Sequence, residues 1–252
     1  SSGALTVEYY AAAERCFLSG IMNVTNDDPV RVAVLTEDYG ASSPTALVSM
    51  LEANAYIVEE LKLSSVEKID SDIDFAILFA PIYDLSNDDL NKIDIWLDNG
   101  GKYDKNFMYV AASTVDVLPN INAYLKDWGL SMDSGYVYQT NDYAFNGGST
   151  YQILEFKEGD YSGGVDTQTK QTQGDRFKPI ELLFDEYSIY KTEAIVSSYE
   201  GSVVAPFDGL DGFDPSKAER SGAFPVVAGS SKTFYEGVEP HQSRIYAVSG
   251  HY

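Results

Sequence analysis

The stretch FAILFAPIYDLSNDDLNKIDIWLDNGGK, residues 75–102, reads as a strand, a loop and a helix with well-marked ends. Its apolar first part, up to Pro81, is typical of a buried β-strand. Ser86 is followed three residues later by Asp89, a spacing that favours an N-terminal helix cap. Asn99 opens the Asn-Gly-Gly run that ends the helix. The stretch therefore predicts one β-loop-α unit of an α/β fold.

The loop of this unit lies where ligands commonly bind in open α/β sheets, but its polar residues have structural roles. Leu85 and Leu90 form the apolar pair that flanks a helix cap. Asp88 and Asp89 lie in the first turn, where the helix dipole favours negative charge and where they repel an anionic ligand. We therefore predict that this unit is framework and not an active site.

Strands and helices alternate on both sides of the quoted stretch. Buried strands are predicted at 30–36, 55–63 and 107–113, and helices after Pro44 and over 118–130. Such alternation predicts an α/β fold with a doubly wound, mainly parallel sheet, and further strand candidates near the C-terminus extend it.

The whole chain is predicted to form a single α/β domain of 252 residues. Residues 4–29 form an N-terminal helix and linker, residues 30–130 the βα core, and residues 131–252 an extension of the sheet. Within the extension, residues 157–179 are polar and glycine-rich, which predicts a long mobile loop.

The composition excludes several classes of function. The chain has 39 acidic and 17 basic residues, a net charge of −22, so nucleic acid and anionic lipid surfaces are disfavoured as partners. Its one cysteine excludes an intramolecular disulfide. Apolar runs are too short to span a bilayer, so we expect no membrane contact from this segment itself. The Ser-Ser-Gly start indicates a soluble piece of a longer protein.

Two loops at the predicted carboxyl edge of the sheet are candidate ligand sites. They follow the first and fourth strands, and their acids and hydroxyls suit a sugar or a cation, although the pattern by itself favours solvated loops. The candidate ligand-binding residues are Glu37, Asp38, Tyr39, Ser113, Thr114 and Asp116.

Metal and cofactor sites are weakly indicated. Asp208, Asp211, Asp214 and Glu219 resemble the oxygen ligands of a calcium loop, with the glutamate at position twelve. Two other ligand positions of that loop lack oxygen side chains, so the EF-hand pattern fails, a surface turn is the better interpretation and no metal site is predicted. No cofactor is predicted, because no glycine-rich phosphate loop occurs.

No catalytic residue is predicted. Cys16 lies in a predicted helix, and the two histidines, His241 and His251, lie near the C-terminus, so a Cys16–His241 pair requires chance geometry. The Gly-x-Ser-x-Gly elbow of hydrolases does not occur. We therefore expect a protein that is not an enzyme.

Four segments in order resemble a known family. They are ERCFLSGIMNVTNDDPVRVAVLT (14–36), LVSMLEANAYIVEELKL (47–63), IDSDIDFAILFAPIYDLSNDDLNKIDIWLDNGGK (69–102) and LPNINAYLKDWGLSMDSGYVYQTN (118–141). Together they are similar to the extracytoplasmic domain of gliding-motility-type auxiliary proteins of ABC transporters. The resemblance implies a flavodoxin-like or class I glutamine amidotransferase-like fold, shared with an intraflagellar-transport protein.

The resemblance also implies a function. It is that of a non-catalytic domain on the extracytoplasmic face of a bacterial membrane, anchored by transmembrane helices outside this chain. Permease and ATPase subunits of the transporter are the implied partners, and a carbohydrate or a protein is the implied ligand. Many relatives carry Gly-His-Gly-Glu where this chain has Glu37 to Gly40, so a function attached to that motif does not transfer. The alternatives are a hydrolase or transferase on an amidotransferase-like scaffold and a purely structural interaction module.

Overall fold

The structure is a computed structural model that describes residues 29–36, 44–145, 148–159 and 172–250. The predicted N-terminal helix and linker (4–29) lie almost wholly outside these residues. Most of the predicted loop at 157–179 lies outside them as well.

The described residues form three α-helices and fifteen β-strands. The helices are Thr45–Glu52 (α1), Asn87–Asp98 (α2) and Pro119–Asp127 (α3). The first strands are Arg31–Leu35 (β1), Ile57–Leu61 (β2), Phe75–Phe79 (β3), Asn106–Val110 (β4), Leu130–Met132 (β5), Tyr136–Gln139 (β6), Gln152–Phe156 (β7) and Thr172–Gly174 (β8). The later ones are Ile180–Leu182 (β9), Glu186–Tyr187 (β10), Tyr190–Ser198 (β11), Ser202–Ala205 (β12), Ser221–Gly222 (β13), Pro225–Glu236 (β14) and Glu239–Val248 (β15).

The ends of α2 confirm the prediction made from its caps. Ser86 Oγ accepts a hydrogen bond from the Asp89 backbone N–H at 3.2 Å and donates one to the Asp89 carboxylate at 2.7 Å. Leu85 and Leu90 are both buried. At the other end Asn99 takes the left-handed conformation with a φ of 49°, so the asparagine and not a glycine ends the helix.

The main sheet has ten strands and is mixed. The strands β2-β1-β3-β4 are parallel, as the alternation of strands and helices predicts, and β15 pairs in parallel with β4 as well. Beyond β15 the neighbours β14, β11, β7 and β8 are antiparallel, and β10 pairs with β11. The predicted fold, a doubly wound and mainly parallel sheet of flavodoxin-like or amidotransferase-like type, is therefore wrong.

The reason for the difference lies in the connections after α3. Parallel neighbours need a crossover, usually a helix, whereas hairpins join only antiparallel neighbours. Between α3 and Gly250 the described residues contain no further α-helix. The strands of this half are therefore joined by turns and loops, such as the turn at Gly237 between β14 and β15. They pair with one another in antiparallel fashion, and only the contact of β15 with β4 is parallel.

The core lies on both faces of the main sheet. On one face α2 and α3 cover the largest cluster, whose centre includes Trp96, Phe107, Ile121, Leu125 and Ile245. On the other face Leu51 of α1 packs with Val32, Val34 and Ile77. The antiparallel half packs on a third cluster, which contains Val137, Leu154, Phe177, Val196, Phe224 and Val226.

Two small antiparallel sheets lie beside the main one. One has the order β13-β12-β6, and the other consists of β5 and β9. The C-terminal part of the segment predicted as a loop, 172–179, contributes strand β8 and the buried side chains of Phe177 and Lys178. Among the described helices, none has the length and apolar character that crossing a membrane requires.

Candidate functional site

The carboxyl ends of the parallel strands meet at one edge of the main sheet, where sequence analysis predicted the ligand site. The loops after β3, β4 and β15 lie side by side there. The Ala80 N–H donates to the Val110 carbonyl at 2.8 Å, and the Ala111 N–H donates to the Val248 carbonyl at 2.8 Å. Glu37, Asp38 and Tyr39, predicted in the loop after β1, lie outside the described residues.

The predicted residues of the loop after β4 do lie at this edge. Ser113 is buried, and its carbonyl accepts a hydrogen bond from the Tyr136 hydroxyl at 2.7 Å. Thr114 is exposed. Asp116 is exposed too, and its carboxylate accepts hydrogen bonds from the Val117 N–H and from the Ser134 hydroxyl, at 2.8 and 2.9 Å. The loop is thus fixed to the segment that leads into β6.

Lys178 links the loop after β4 to neighbouring segments at this edge. Its role was not predicted from the sequence. Its side chain is buried, and its ammonium group donates a hydrogen bond to the Ala112 carbonyl at 2.7 Å. The ammonium group lies 5.8 Å from the ring centroid of Tyr136 and 5.6 Å from that of Phe207, within cation–π range. Burial lowers the pKa of Lys178 to about 8, against the opposing attraction of Asp116.

The backbone around Lys178 is held on three sides. The Val137 N–H donates to the Phe177 carbonyl at 2.8 Å, and the Asp133 N–H donates to the Pro179 carbonyl at 2.9 Å. The buried Ser249 hydroxyl lies 2.8 Å from the carbonyl of Lys178 itself and donates to it. Lys178 therefore acts as a brace between the loop after β4, the start of β6 and the end of β15.

A cleft of about 540 Å³ opens beside this brace. We call it the Arg220 cleft; its walls include Ser134, Pro206, Phe213, Lys217, Glu219 and Arg220. Ser134 joins it to the predicted site, because its hydroxyl donates to Asp116. Arg220 donates to the Asp133 carboxylate at 2.7 Å, and the Phe213 ring packs edge-on against Tyr138 with centroids 5.4 Å apart.

The candidate calcium ligands do not converge on a point. Asp214 instead stabilises the short turn Pro215–Lys217, where its carboxylate accepts from the Ser216 N–H at 3.1 Å and from the Ser216 hydroxyl at 2.7 Å. These bonds, with the one from Lys217, lower the pKa of Asp214. Nowhere in residues 29–36, 44–145, 148–159 and 172–250 do three or more His, Cys, Asp or Glu side chains group as metal ligands. Asp208, Asp211 and Glu219 are thus surface residues of the segment that borders the Arg220 cleft.

Of the candidate nucleophile and the two histidines, only His241 lies within the described residues. Cys16 and His251 lie outside them. His241 lies at the opposite edge of the main sheet, where its Nδ1 is 2.7 Å from the Asp104 carboxylate. The hydrogen bond to Asp104 raises the pKa of His241.

This pair makes stability depend on pH. When folding raises the pKa of a histidine, its protonated form stabilises the fold. This contribution is complete at pH values below the ordinary histidine pKa of about 6.5, and it is lost as the pH rises through the folded-state pKa. We therefore expect the stability lost on His241→Gln to be larger near pH 6 than near pH 9 in urea unfolding. A loss that is the same at both pH values would contradict this assignment.

Comparison with known proteins bears on the fold alone. No family model matches the chain, and no curated protein matches it. Among solved structures, the chain is similar to the mmIFT52 N-terminal domain, from an intraflagellar-transport protein, with a TM-score of 0.53 and 10% sequence identity. The alignment covers 86% of this chain and 86% of that chain. At this identity the likeness concerns the arrangement of strands and helices and carries no statement about function.

Proposed function

We propose that this chain is a non-catalytic binding domain whose Arg220 cleft binds a carbohydrate. One observation carries the proposal: the cleft combines an aromatic ring with positively charged hydrogen-bond donors and a negatively charged acceptor. Arg220 and Lys217 donate, Glu219 accepts, and the Ser134 hydroxyl, which donates to Asp116, can accept, while Phe213 offers an apolar surface. The volume of about 540 Å³ falls in the range of small-molecule sites.

The chemistry of the cleft favours a neutral polyol over a charged ligand. A strongly anionic ligand meets Glu219 and Asp214, and a strongly cationic one meets Arg220 and Lys217. A sugar hydroxyl both donates and accepts hydrogen bonds, so it suits all four groups. The apolar face of a sugar ring can lie on the half-buried ring of Phe213, which Tyr138 holds in position.

We also propose that the domain belongs to a membrane protein associated with an ABC transporter and lies on the extracytoplasmic side of a bacterial membrane. The support is the sequence resemblance over residues 14–141, in which the capped helix α2 and the Leu-Pro-Asn start of α3 are the most specific parts. Permease and ATPase subunits are then the expected partners. The full-length gene tests this setting, because it should encode hydrophobic helices beside this segment.

A thermal-shift screen of mono- and oligosaccharides tests the carbohydrate site. A sugar that binds the folded chain at about 100 times its Kd should raise the free energy of unfolding by about 2.7 kcal/mol. Arg220→Gln should abolish that increase. The ion pair of Arg220 with Asp133 is partly exposed, so the variant itself should lose less than about 1 kcal/mol of stability.

Arg31→Gln provides the matched control. Arg31 forms a similarly exposed ion pair with Glu59 at 3.7 Å, on β1 and β2, away from the cleft. It should leave the sugar response unchanged. Equal loss of the response in both variants, or no response to any sugar in the screen, would contradict a carbohydrate site in the Arg220 cleft.

A further inference from the structure

A groove of about 470 Å³ lies between α2 and α3 and shares no lining residue with the Arg220 cleft. We call it the α2–α3 groove. Three aromatic side chains line it: Tyr124 of α3, Trp128 directly after α3, and Tyr190 of β11. Trp128 is buried, and its ring packs edge-on against that of Tyr190 with centroids 5.5 Å apart. The groove therefore has a fixed apolar surface on which an aliphatic chain can lie.

Two exposed aspartates line the same groove, one from each helix. Asp94 lies in α2, and its carboxylate accepts a hydrogen bond from the Tyr124 hydroxyl at 3.4 Å. Asp127 is the last residue of α3. Together they place two negative charges in the groove.

The position of Asp127 has no structural explanation. A negative charge at the C-terminal end of a helix is disfavoured by the helix dipole. Asp98, at the same end of α2, accepts a hydrogen bond from the Gly101 N–H at 3.0 Å and so stabilises the turn that follows. In the part of the chain that the structure describes, no hydrogen bond or ion pair of this kind involves the Asp127 carboxylate. A cation in the groove would relieve its unfavourable position.

Lys232 of β14 supplies a positive charge to the α2–α3 groove. Its ammonium group lies 5.1 Å from the ring centroid of Tyr103 and 6.0 Å from that of Tyr190, within cation–π range. Within residues 29–36, 44–145, 148–159 and 172–250, Lys232 forms no ion pair, although two carboxylates line the same groove. The groove thus holds one cation and two anions that do not pair with one another.

We propose that the α2–α3 groove binds a free basic α-amino acid such as lysine. The ligand's carboxylate pairs with Lys232, and its two ammonium groups pair with Asp94 and Asp127. Its aliphatic chain lies on the aromatic side chains, and the volume of the groove falls in the range of small-molecule sites. The proposal is independent of the carbohydrate site, because the two sites have no residue in common.

The pattern of charges distinguishes this class of ligand from its neighbours. A diamine without a carboxylate is repelled by Lys232, and an acidic amino acid is repelled by Asp94 and Asp127. A neutral amino acid has one ammonium group and therefore leaves one of the two carboxylates unpaired. A free basic amino acid matches all three charges of the groove.

Isothermal titration calorimetry of the intact chain with L-lysine tests this proposal. Three analogues each lack one charged group: L-norleucine the side-chain ammonium, Nα-acetyl-L-lysine the α-ammonium, and cadaverine the carboxylate. Each should bind about fivefold more weakly than L-lysine, the effect of one exposed ion pair. Equal binding of Nα-acetyl-L-lysine would overturn the proposal, since a lysine at the end of a peptide would then be sufficient.

Substitutions in the groove assign each pair. Asp94→Asn and Asp127→Asn should each weaken L-lysine binding about fivefold. Lys232→Met should weaken L-lysine binding by about the same factor but should not weaken the binding of cadaverine, which has no carboxylate. A merely structural role of Lys232 would weaken both ligands alike, and that result would contradict the assignment.

Asp72→Asn is the matched control, since it removes an exposed carboxylate from the connection between β2 and β3, outside the groove. Its affinity for L-lysine should change less than about twofold. Weakening equal to that of Asp127→Asn would overturn the proposal, because it would reflect net charge alone. Failure of L-lysine to bind the original chain would overturn it as well.

Discussion

Gly135→Ala should lower the free energy of unfolding by about 3 kcal/mol or more, as the sum of a left-handed backbone and a steric clash. Gly135 has a φ of 98°, where L-residues are strained. A Cβ atom there would lie 2.4 Å from the Ala205 carbonyl oxygen. That oxygen belongs to the backbone of β12, which pairs with β6, so it cannot move without disturbing the small sheet beside the Arg220 cleft.

Gly100→Ala separates the two contributions. Gly100 also has a positive φ, 65°, but a Cβ atom there would have no neighbouring atom within 4 Å. It should therefore cost only about 1–2 kcal/mol, for the strained backbone alone. Urea unfolding of both variants measures the difference. Equal losses at the two positions would show that the close approach of Gly135 to β12 does not exist in solution.

The second large effect is a pH dependence of stability that arises from the buried Lys178. In the unfolded chain its pKa is close to 10.5, whereas burial lowers the folded-state pKa to about 8. Between these values the unfolded state binds more protons than the folded state, so stability due to this group rises with pH. The free energy of unfolding should rise by about 3 kcal/mol in total, because each unit of difference in pKa corresponds to 1.36 kcal/mol.

Lys178→Met should remove that pH dependence while it keeps most of the side-chain volume. The free energy of unfolding of the original chain should therefore increase relative to the variant by about 3 kcal/mol between pH 8 and pH 10.5. Urea unfolding at several pH values measures both chains. Two curves that run parallel over this range would contradict a buried ammonium group at the Ala112 carbonyl.

Local signals in the sequence were sufficient to predict the strands and helices of residues 30–130. The cap at Ser86, the apolar pair Leu85 and Leu90, and the stop at Asn99 all involve neighbours within one or two helical turns. The strand at 30–36 was likewise identified from its own β-branched residues, and it forms β1. Such features depend little on the rest of the chain.

The mixed character of the sheet depends on distant pairing and could not be predicted in this way. The segment that forms β15 was identified as a strand, but no local signal places it between β4 and β14. Its position depends on the packing of Ile245 with Phe107, whose positions lie far apart in the sequence, and on the long hairpin with β14. The alternation of apolar residues in a strand shows which of its faces is buried, but it does not determine which strands lie beside it in the sheet.

The candidate site likewise contains residues that local sequence patterns could predict and residues whose role depends on tertiary contacts. Ser113 and Asp116 lie at the carboxyl edge as predicted, because strand ends follow from the strand pattern. Lys178 was missed because it follows a polar stretch, and its burial depends on tertiary contacts with Tyr136 and Phe207.

Amide hydrogen exchange with and without a stabilising sugar tests the central claim most directly. We expect increased protection in residues 133–135, 204–206 and 212–220, which surround the Arg220 cleft, and no change in the turn between β14 and β15. Protection confined to another part of the chain, such as the groove between α2 and α3 near Asn91 and Tyr124, would contradict the claim that the Arg220 cleft is the binding site.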